Sequence, residues 1–347
     1  MPPPKSPFAS LKAGTITKLD ETVEYAQSWH QWSQPEIDAL TLAYAAGRPL
    51  LVRGEPGTGK TQLARAAAQV LGWKLHAETI HPRFEPHELR FRFDAVKRLA
   101  DAQAGDKGAD ALDDHRYWRP GVLWKAYGWD SAIEFLPVVE RIAEPKGHVV
   151  LIDEIDKADS DLPNSLLEVL AQRSFHVEPV AEPIGGPKVK PPLIVITTNE
   201  ERDLPAAFLR RCIVLSLAPD GEYAGWLVAR GKAHFGALEK VAGRELALMD
   251  DDVLWEAAAQ LVKDRDAVAG LNLSKPGLAE YLDLLYALHA LFEDEADAGK
   301  RATAQRKWLV RLSAYGYLKH SVDDPKNAAN QSTNAAERGK TADQEPR

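Results

Sequence analysis

The sequence predicts an α/β fold with a parallel sheet, followed by an all-helical region. Short apolar runs alternate with helical periodicity from about residue 50 to residue 217, as a parallel sheet requires. A glycine-rich phosphate-binding motif joins the first of these runs to the next helix. After residue 218 the strand patterns stop and leucines recur at helical spacing. A chain of 347 residues can hold two such domains, because single cores seldom grow past about 250 residues.

Composition restricts the class of protein and its surroundings. The chain is 45% hydrophobic and 27% charged, which is typical of a globular protein. Its formal net charge is −8, so no general basic field favours nucleic acid as a partner. Cys212 is the single cysteine, which excludes an intrachain disulfide and fits a reducing compartment. With no signal-peptide pattern and no apolar run of membrane-spanning length, we expect a cytoplasmic protein without a membrane partner.

The predicted elements follow in order from local signals. Ser33 and Glu36 form a capping-box pair with Pro35 in the first turn, so a helix should begin there and end at Gly47. Strands are expected at 50–53, 73–79, 148–153, 193–198 and 213–217. Two segments interrupt the pattern: residues 104–114 are small and acidic and predict a mobile loop, and the proline-rich residues 178–192 predict a protruding hairpin or loop.

These patterns divide the chain into four parts. Residues 1–32 form an N-terminal extension, and residues 33–218 form an α/β nucleotide-binding domain. Residues 219–322 are predicted to form an α-helical domain, with a helix over 280–292. Residues 323–347 contain no large apolar side chain, so we expect a disordered tail.

The motif GEPGTGKT spans Gly54 to Thr61 and predicts a polyphosphate site. Glycines at 57 and 59 let the chain curl until successive backbone N–H groups point inward, and the next helix adds its positive dipole end. Lys60 is expected to neutralise the β- and γ-phosphates, and the Thr61 hydroxyl to complete a Mg²⁺ shell. The predicted nucleotide-binding residues of this segment are Gly54, Glu55, Pro56, Gly57, Thr58, Gly59, Lys60, Thr61 and Gln62.

Two predicted strands end in polar residues of the kind that handle a metal ion and a water molecule. Residues 148–153 are a buried strand that ends in Asp153, followed by Glu154. We expect Asp153 to hold Mg²⁺ and Glu154 to polarise the water that attacks the γ-phosphate. Asn199 follows the strand 193–198 and can hydrogen-bond the same water or the γ-phosphate. The plain alternative is that these residues only mark strand ends at the surface.

Four segments in this order resemble the AAA+ ATPases: GEPGTGKT, VVLIDEIDKA, LPNSLLEVLAQRSFHV and IVITTNEERDLPAAFLRRC. Within that superfamily they are similar to the MoxR-like branch of bacterial remodelling ATPases. The resemblance covers roughly residues 37–291. It implies a P-loop NTPase core with a five-stranded parallel sheet in the order 5-1-4-3-2. It also implies a helical lid that closes on ATP and rings that usually have six subunits.

The resemblance also assigns roles to single residues. Gly54, Gly57, Gly59, Lys60 and Thr61 fall on the Walker A loop, Asp153 and Glu154 on Walker B, and Asn199 on sensor 1. Arg211 matches the arginine finger, with the adjacent Arg210 as the alternative. The lid departs from the pattern, because Lys275 stands where the family often has a sensor 2 arginine. Lys275 could meet the γ-phosphate as a point charge, without bidentate geometry.

The segment 116–129 (RYWRPGVLWKAYGW) mixes aromatic and basic residues and leaves two interpretations open. Such interleaving can serve single-stranded nucleic acid, or the aromatic side chains can be buried in an amphipathic element that is structural or contacts a partner. We favour the second interpretation. His76, His81 and His87 have no metal-ligand spacing and are expected to be structural or exposed, and Cys212 a core residue of the fifth strand.

Three functions fit these features. The leading hypothesis is an ATP-hydrolysing ring that remodels a protein partner, for MoxR-like proteins often one with a von Willebrand A domain. The second is a nucleic-acid motor subunit of a restriction or defence complex, against which the acidic balance counts. The third is a nucleotide-gated scaffold with little turnover, which would be expected to lack Glu154 or Arg211.

Overall fold

A computed structural model describes residues 6–103, 114–219, 221–236, 249–269, 275–295 and 297–317. The predicted tail, and the predicted loop up to residue 113, lie outside this part of the chain. The described residues form two compact units. The first extends to Leu217 without Pro56–Thr58, and the second contains those three residues and the described residues from Ala218 onward.

The first unit contains strands and helices that alternate along the chain. Its strands are β1 (Ile16–Leu19), β2 (Ser28–Gln31), β3 (Leu50–Arg53), β4 (Lys74–Thr79), β5 (Phe91–Phe93), β6 (Trp118–Pro120), β7 (His148–Asp153), β8 (Ser174–Phe175), β9 (Ile184–Gly185), β10 (Leu193–Thr198) and β11 (Ile213–Ser216). Its helices are α1 (Gln34–Ala46), α2 (Lys60–Leu71), α3 (Ala95–Gln103), α4 (Val122–Tyr127), α5 (Trp129–Ala132), α6 (Asp161–Gln172) and α7 (Ala206–Leu209). Short 3₁₀ turns include Ile155–Lys157, directly after Glu154.

A five-stranded sheet organises this unit, in the order β11-β3-β10-β7-β4. All four strand pairs are parallel. Counted along the chain, the order is 5-1-4-3-2, so the predicted fold class is confirmed. The boundaries differ little from prediction: the second strand begins at Lys74 and the fifth ends at Ser216. Because the strands are parallel, the carboxyl ends of β3, β7 and β10 lie at one edge of the sheet.

Both faces of the sheet are covered, which explains why its three central strands, β3, β10 and β7, are nearly continuous apolar runs. Alternate residues of β7 enter different cores. Val149 and Leu151 pack in the cluster that contains α1 and α2 side chains, and Val150 and Ile152 in the cluster that contains α4 and α6 side chains. The sheet is therefore held rigidly from both sides, and the ends of its strands are fixed points for a site.

Helix α1 begins as the sequence predicts. The Glu36 carboxylate accepts hydrogen bonds from the Ser33 backbone N–H (2.7 Å) and from the Ser33 hydroxyl (2.8 Å). The backbone N–H of the residue that precedes the helix is therefore satisfied. The helix ends at Gly47, whose φ of 59° places it in the left-handed region that glycine adopts without strain. The chain then enters β3 after two residues.

The N-terminal segment packs more closely than the sequence suggests. Strands β1 and β2 form an antiparallel hairpin. Phe8, Leu19 and Trp32 are buried in the same cluster as side chains of α1, α2 and β3. The residues before α1 therefore contribute to the core of the first unit.

The aromatic and basic segment 116–129 is largely buried. Tyr117, Trp118, Trp124, Tyr127 and Trp129 each expose 6% of their surface or less. Most of them pack in the core cluster on the α4 side of the sheet. The structural interpretation is confirmed for these side chains, because a buried ring offers no face on which a base could stack.

Two buried histidines on the neighbouring strands β4 and β7 lie side by side. His76 Nε2 and His148 Nδ1 lie 3.0 Å apart, and both side chains are buried. Burial lowers the pKa of His76 to about 3, and His148, Lys125 and Lys74 act in the same direction. Burial, with Lys190, lowers the pKa of His148 to about 4. Both imidazoles are therefore neutral at neutral pH.

This pair predicts a loss of stability in mild acid. A histidine in an unfolded chain has a pKa near 6.5. Below that pH the histidines of the unfolded chain become protonated while the folded pair stays neutral, so protonation favours the unfolded state. Stability should fall from about pH 6.5 towards pH 4, by on the order of 2 kcal/mol per histidine at pH 5. Above pH 6.5 the pair contributes no pH dependence. Urea unfolding between pH 5 and 7.5 should show a smaller decline for His76→Gln than for wild type or for the control His81→Gln. An equal decline in all three proteins would contradict this assignment.

The second unit is helical among its described residues. Its helices are α8 (Tyr223–Gly236), α9 (Asp251–Ala267), α10 (Leu278–Leu291) and α11 (Ala298–Gly316). The predicted helix over 280–292 corresponds to α10. Leu282, Leu285 and Leu288 lie buried in one cluster with Leu254 and Leu309. Across the described ranges, no helix combines the length and apolar character needed to cross a membrane.

Candidate active site

The phosphate-binding motif forms the connection between β3 and α2. Gly57 (φ 77°) and Gly59 (φ 95°) adopt positive φ values that other residues rarely take, which gives the motif its requirement for glycine. Gly59 is the residue that caps the N-terminus of α2, and Lys60 and Thr61 are its first two residues, followed by Gln62. The loop therefore ends at a helix N-terminus, where unpaired N–H groups and the helix dipole favour an anion.

Lys60 turns back into this loop. Its Nζ donates hydrogen bonds to the carbonyl oxygens of Gly54 (2.7 Å) and Glu55 (2.8 Å), and the residue is 7% exposed. Burial lowers the pKa of the ammonium, and the negative charges of Asp153 and its neighbours oppose that shift. A polyphosphate would offer this buried cation charged acceptors in place of two neutral carbonyl groups.

Asp153 lies at the end of β7 with both carboxylate oxygens held by hydroxyl groups. Thr61 Oγ1 donates to Oδ2 (2.9 Å), and Thr197 Oγ1 donates to Oδ1 (2.5 Å). Carboxylate and hydroxyl oxygens are the ligands that Mg²⁺ prefers. The pair predicted from sequence, Thr61 and Asp153, is therefore in contact, and its donor set fits magnesium.

Glu154 follows in a strained conformation. Its φ of 61° is in the left-handed region, uncommon for a residue with a side chain. Its backbone N–H donates to Thr197 Oγ1 (2.9 Å), Asn199 Nδ2 donates to its Oε1 (3.1 Å), and Lys157 Nζ lies 2.6 Å from its Oε2. The structure thus brings together the two residues that the sequence assigned to the attacking water, Glu154 and Asn199.

Asp156 is a site residue that the sequence analysis missed. It is 2% exposed, and its Oδ2 accepts hydrogen bonds from the backbone N–H groups of Asn199 (3.1 Å) and Glu201 (2.9 Å). These bonds tie the loop after β10 to the turn after β7 and thereby hold Asn199 beside Glu154. The signal was an acid two residues after Glu154, but only the fold shows which backbone groups it meets.

The two candidate finger arginines lie elsewhere, at the end of α7. Arg210 and Arg211 are exposed, and Arg211 Nη1 donates to the Ala207 carbonyl oxygen (3.2 Å). Arg48 holds the segment by donating to the carbonyl oxygens of Arg210, Arg211 (3.0 Å) and Cys212 (3.4 Å). Within the described residues, neither finger arginine hydrogen-bonds the phosphate loop or the acids after β7. Arg48 was not singled out from sequence, because its partners lie more than 160 residues away.

Two further candidate residues were singled out from the sequence. Lys275 is an exposed residue of the second unit, three residues before α10 begins, and its sensor 2 role stays a prediction. Cys212 is buried immediately before β11, and burial raises the pKa of its thiol to about 11. A thiol of that kind is a core residue and not a nucleophile at neutral pH.

The sheet is parallel with the order 5-1-4-3-2, a glycine loop with a lysine and a threonine follows β3, and two acids lie at the end of β7. Together these features define a P-loop nucleotide-binding fold. Residues 49–212 match the family model of the AAA domain, dynein-related subfamily. This part of the chain, just under half of it, is therefore similar to AAA domains, and its fold is that of an AAA+ P-loop core.

Solved structures that are similar to this chain include two of RuvB from Thermotoga maritima. One is a single-residue variant that is 15% identical, with 79% of this chain and 66% of that chain covered and a TM-score of 0.42. The other, described as the RuvB Holliday junction branch migration motor, is 14% identical, with 80% and 69% covered and a TM-score of 0.42. The chain thus spans about two thirds of the length of these relatives. No curated protein sequence matches it significantly.

Proposed function

We propose that this protein is an ATP-hydrolysing AAA+ ATPase that acts in the cytoplasm as a ring, usually of six subunits, and remodels a protein partner in the manner of the MoxR-like branch. The observation that carries hydrolysis is the contact between Glu154 and Asn199 beside the Thr61–Asp153 pair. The Glu154 carboxylate and the Asn199 amide lie next to each other and near oxygen atoms that suit Mg²⁺. Together they can bind and orient one water molecule.

The chain's own residues supply positioning and electrostatics. Lys60 exchanges its carbonyl partners for oxygens of the β- and γ-phosphates. Thr61 and Asp153 are the residues that would hold Mg²⁺, which neutralises phosphate charge when bound. Glu154, held by Asn199, orients a water molecule whose oxygen attacks the γ-phosphorus. The bond from the γ-phosphorus to the bridging oxygen breaks, giving ADP and phosphate, and Glu154 accepts the proton of the water.

The remaining parts of the proposal rest on exposed residues and on the sequence resemblance. Arg211 is exposed and its backbone is anchored by Arg48, which suits a side chain that reaches into the site of another subunit. A partner with a von Willebrand A domain follows from the MoxR-like resemblance. Segment 116–129 gives the alternative of a nucleic-acid motor no support, because its aromatic residues are buried.

Glu154→Gln tests the proposal. The substitution keeps the size of the side chain and its contact with Asn199, but removes the charge that polarises the water. ATP turnover in the presence of Mg²⁺ should fall by about 10² to 10⁴ while ATP still binds. Glu134→Gln, the same change at an exposed 3₁₀ turn, is the matched control and should turn over ATP like wild type. Turnover of Glu154→Gln within a factor of two of the control would show that Glu154 does not activate the water.

A further inference from the structure

The hydroxyl of Thr197 lies between the two acids of the candidate site. Thr197 is 0% exposed and is the fifth residue of β10. Its Oγ1 is 2.5 Å from Asp153 Oδ1 and 2.9 Å from the backbone nitrogen of Glu154. No sequence motif pointed to it, because the threonine pair before Asn199 looks like an ordinary strand end.

The direction of both hydrogen bonds is fixed by chemistry. A backbone N–H can only donate, so the Thr197 oxygen accepts from Glu154. The hydroxyl has a single proton, which therefore points at the Asp153 carboxylate. The Thr197 hydroxyl thus holds Asp153, the candidate metal ligand, through the carboxylate of Asp153. It holds Glu154, the candidate for activating the water, through the backbone N–H of Glu154.

The two acids need this support for different reasons. Asp153 has its other oxygen held by Thr61, so the two hydroxyl groups together fix the plane of the carboxylate. Glu154 has a left-handed backbone, a conformation that persists only where surrounding groups hold it. Without the Thr197 oxygen the partly buried N–H of Glu154 would also lose this hydrogen-bond partner.

Resting on the function proposed above, we propose that Thr197 is a positioning residue that sets both acids, orienting Asp153 for the metal ion and holding Glu154 in its left-handed conformation. Its contribution is felt in metal affinity and in the chemical step, and not in the binding of nucleotide alone. Thr198, the next residue, is also buried, and its hydroxyl accepts a hydrogen bond from the Glu200 N–H (2.9 Å). Within the described part of the chain it forms no hydrogen bond with either acid.

The test compares Thr197→Val and Thr197→Ser with Thr198→Val as the matched control. Valine keeps the shape and loses the hydroxyl, whereas serine keeps the hydroxyl. Residues that orient metal ligands typically change metal affinity by about 10- to 100-fold. The affinity of the ADP-bound protein for Mn²⁺, measured by electron paramagnetic resonance, should fall by that factor in Thr197→Val. ADP affinity without metal should stay within about twofold, and Thr197→Ser should recover most of the loss.

A second readout needs neither metal nor nucleotide. Amide hydrogen exchange of the peptide that contains Glu154 should be faster in Thr197→Val than in wild type and in Thr198→Val.

Steady-state kinetics give a third readout. At saturating Mg²⁺, Thr197→Val should show a lower kcat with an unchanged KM for ATP. Thr197→Ala provides the same comparison if the valine variant unfolds, because its smaller side chain avoids placing a methyl group against the acids.

Each outcome decides between the proposals. If wild type binds Mn²⁺ with ADP and Thr197→Val does so equally well, with equal kcat, the inference about Thr197 is wrong and the proposed function stands. If serine fails as badly as valine, Thr197 acts by packing and not through its hydroxyl, which also overturns the inference. If wild type binds no ADP and hydrolyses no ATP, the proposed function fails, and the inference fails with it.

Discussion

Replacing Lys60 by alanine should strongly weaken ATP binding. The Lys60 ammonium is buried in the phosphate loop and hydrogen-bonded there to two carbonyl groups, so it is already placed where phosphate oxygens would enter. Removing one partner of a buried charge pair costs about 2–5 kcal/mol. The Kd for ATP should therefore rise by between about 30-fold and several thousand-fold.

Isothermal titration of ATP into Lys60→Ala and into Lys74→Ala would measure this effect. Lys74 is an exposed lysine at the opposite end of the sheet, where β4 begins, so its removal changes net charge equally without touching the loop. The control should bind like wild type. Tight binding by Lys60→Ala would place the nucleotide away from the GEPGTGKT loop.

Replacing Arg211 by alanine should leave ATP affinity nearly intact and lower turnover by roughly 10³, if its effect resembles that of known arginine fingers. The physical reason is that a finger stabilises charge that develops on the phosphoryl group only in the transition state. Arg210→Ala is the natural comparison, since the side chains are adjacent and both are exposed. The variant with the larger loss of turnover identifies the finger.

An arginine finger that acts on the site of a neighbouring subunit also predicts that two inactive variants rescue each other when they are mixed. Each Arg211→Ala subunit keeps Glu154, and each Glu154→Gln subunit keeps Arg211. In a mixed ring, a junction between the two variants can therefore hold a complete site, and mixing two nearly inactive proteins should restore hydrolysis. ATPase rate against mixing ratio should rise to a maximum between the two parents, at a concentration where sizing shows oligomers. A rate that stays at the weighted mean of the parents, after labelled subunits are shown to exchange, would rule out a finger acting in trans.

Local sequence signals predicted the parts of the site that lie within one segment of chain. The glycine loop needs residues that tolerate positive φ, and its lysine and threonine are adjacent to it, so the motif Gly54 to Thr61 describes a complete local structure. Strands β3, β7 and β10 were found because burial on both faces leaves continuous apolar runs. Helix α1 was found because Ser33 and Glu36 satisfy a helix start within one turn. The order of the strands came from the family resemblance and is confirmed.

Contacts between distant segments could not be read in the same way. Glu154 and Asn199 are 45 residues apart and meet because β7 and β10 are neighbours in register, with Ile152 opposite Ile196. Asp156 holds the loop that carries Asn199, and Arg48 holds the segment that carries Arg211, through backbone groups that have no sequence signature. Whether segment 116–129 was buried or exposed depended on the neighbours that the fold provides.

The sequence by itself determined that this protein has a nucleotide loop on a parallel α/β sheet, because glycine conformation, helix capping and apolar runs are properties of short stretches of chain. Only the tertiary structure decided how the site is held together. The Thr197 hydroxyl bridges Asp153 and the Glu154 backbone because parallel pairing places the end of β10 beside the end of β7. A hydrogen bond between strands depends on their register and distance, and these are set by the packing of the whole sheet.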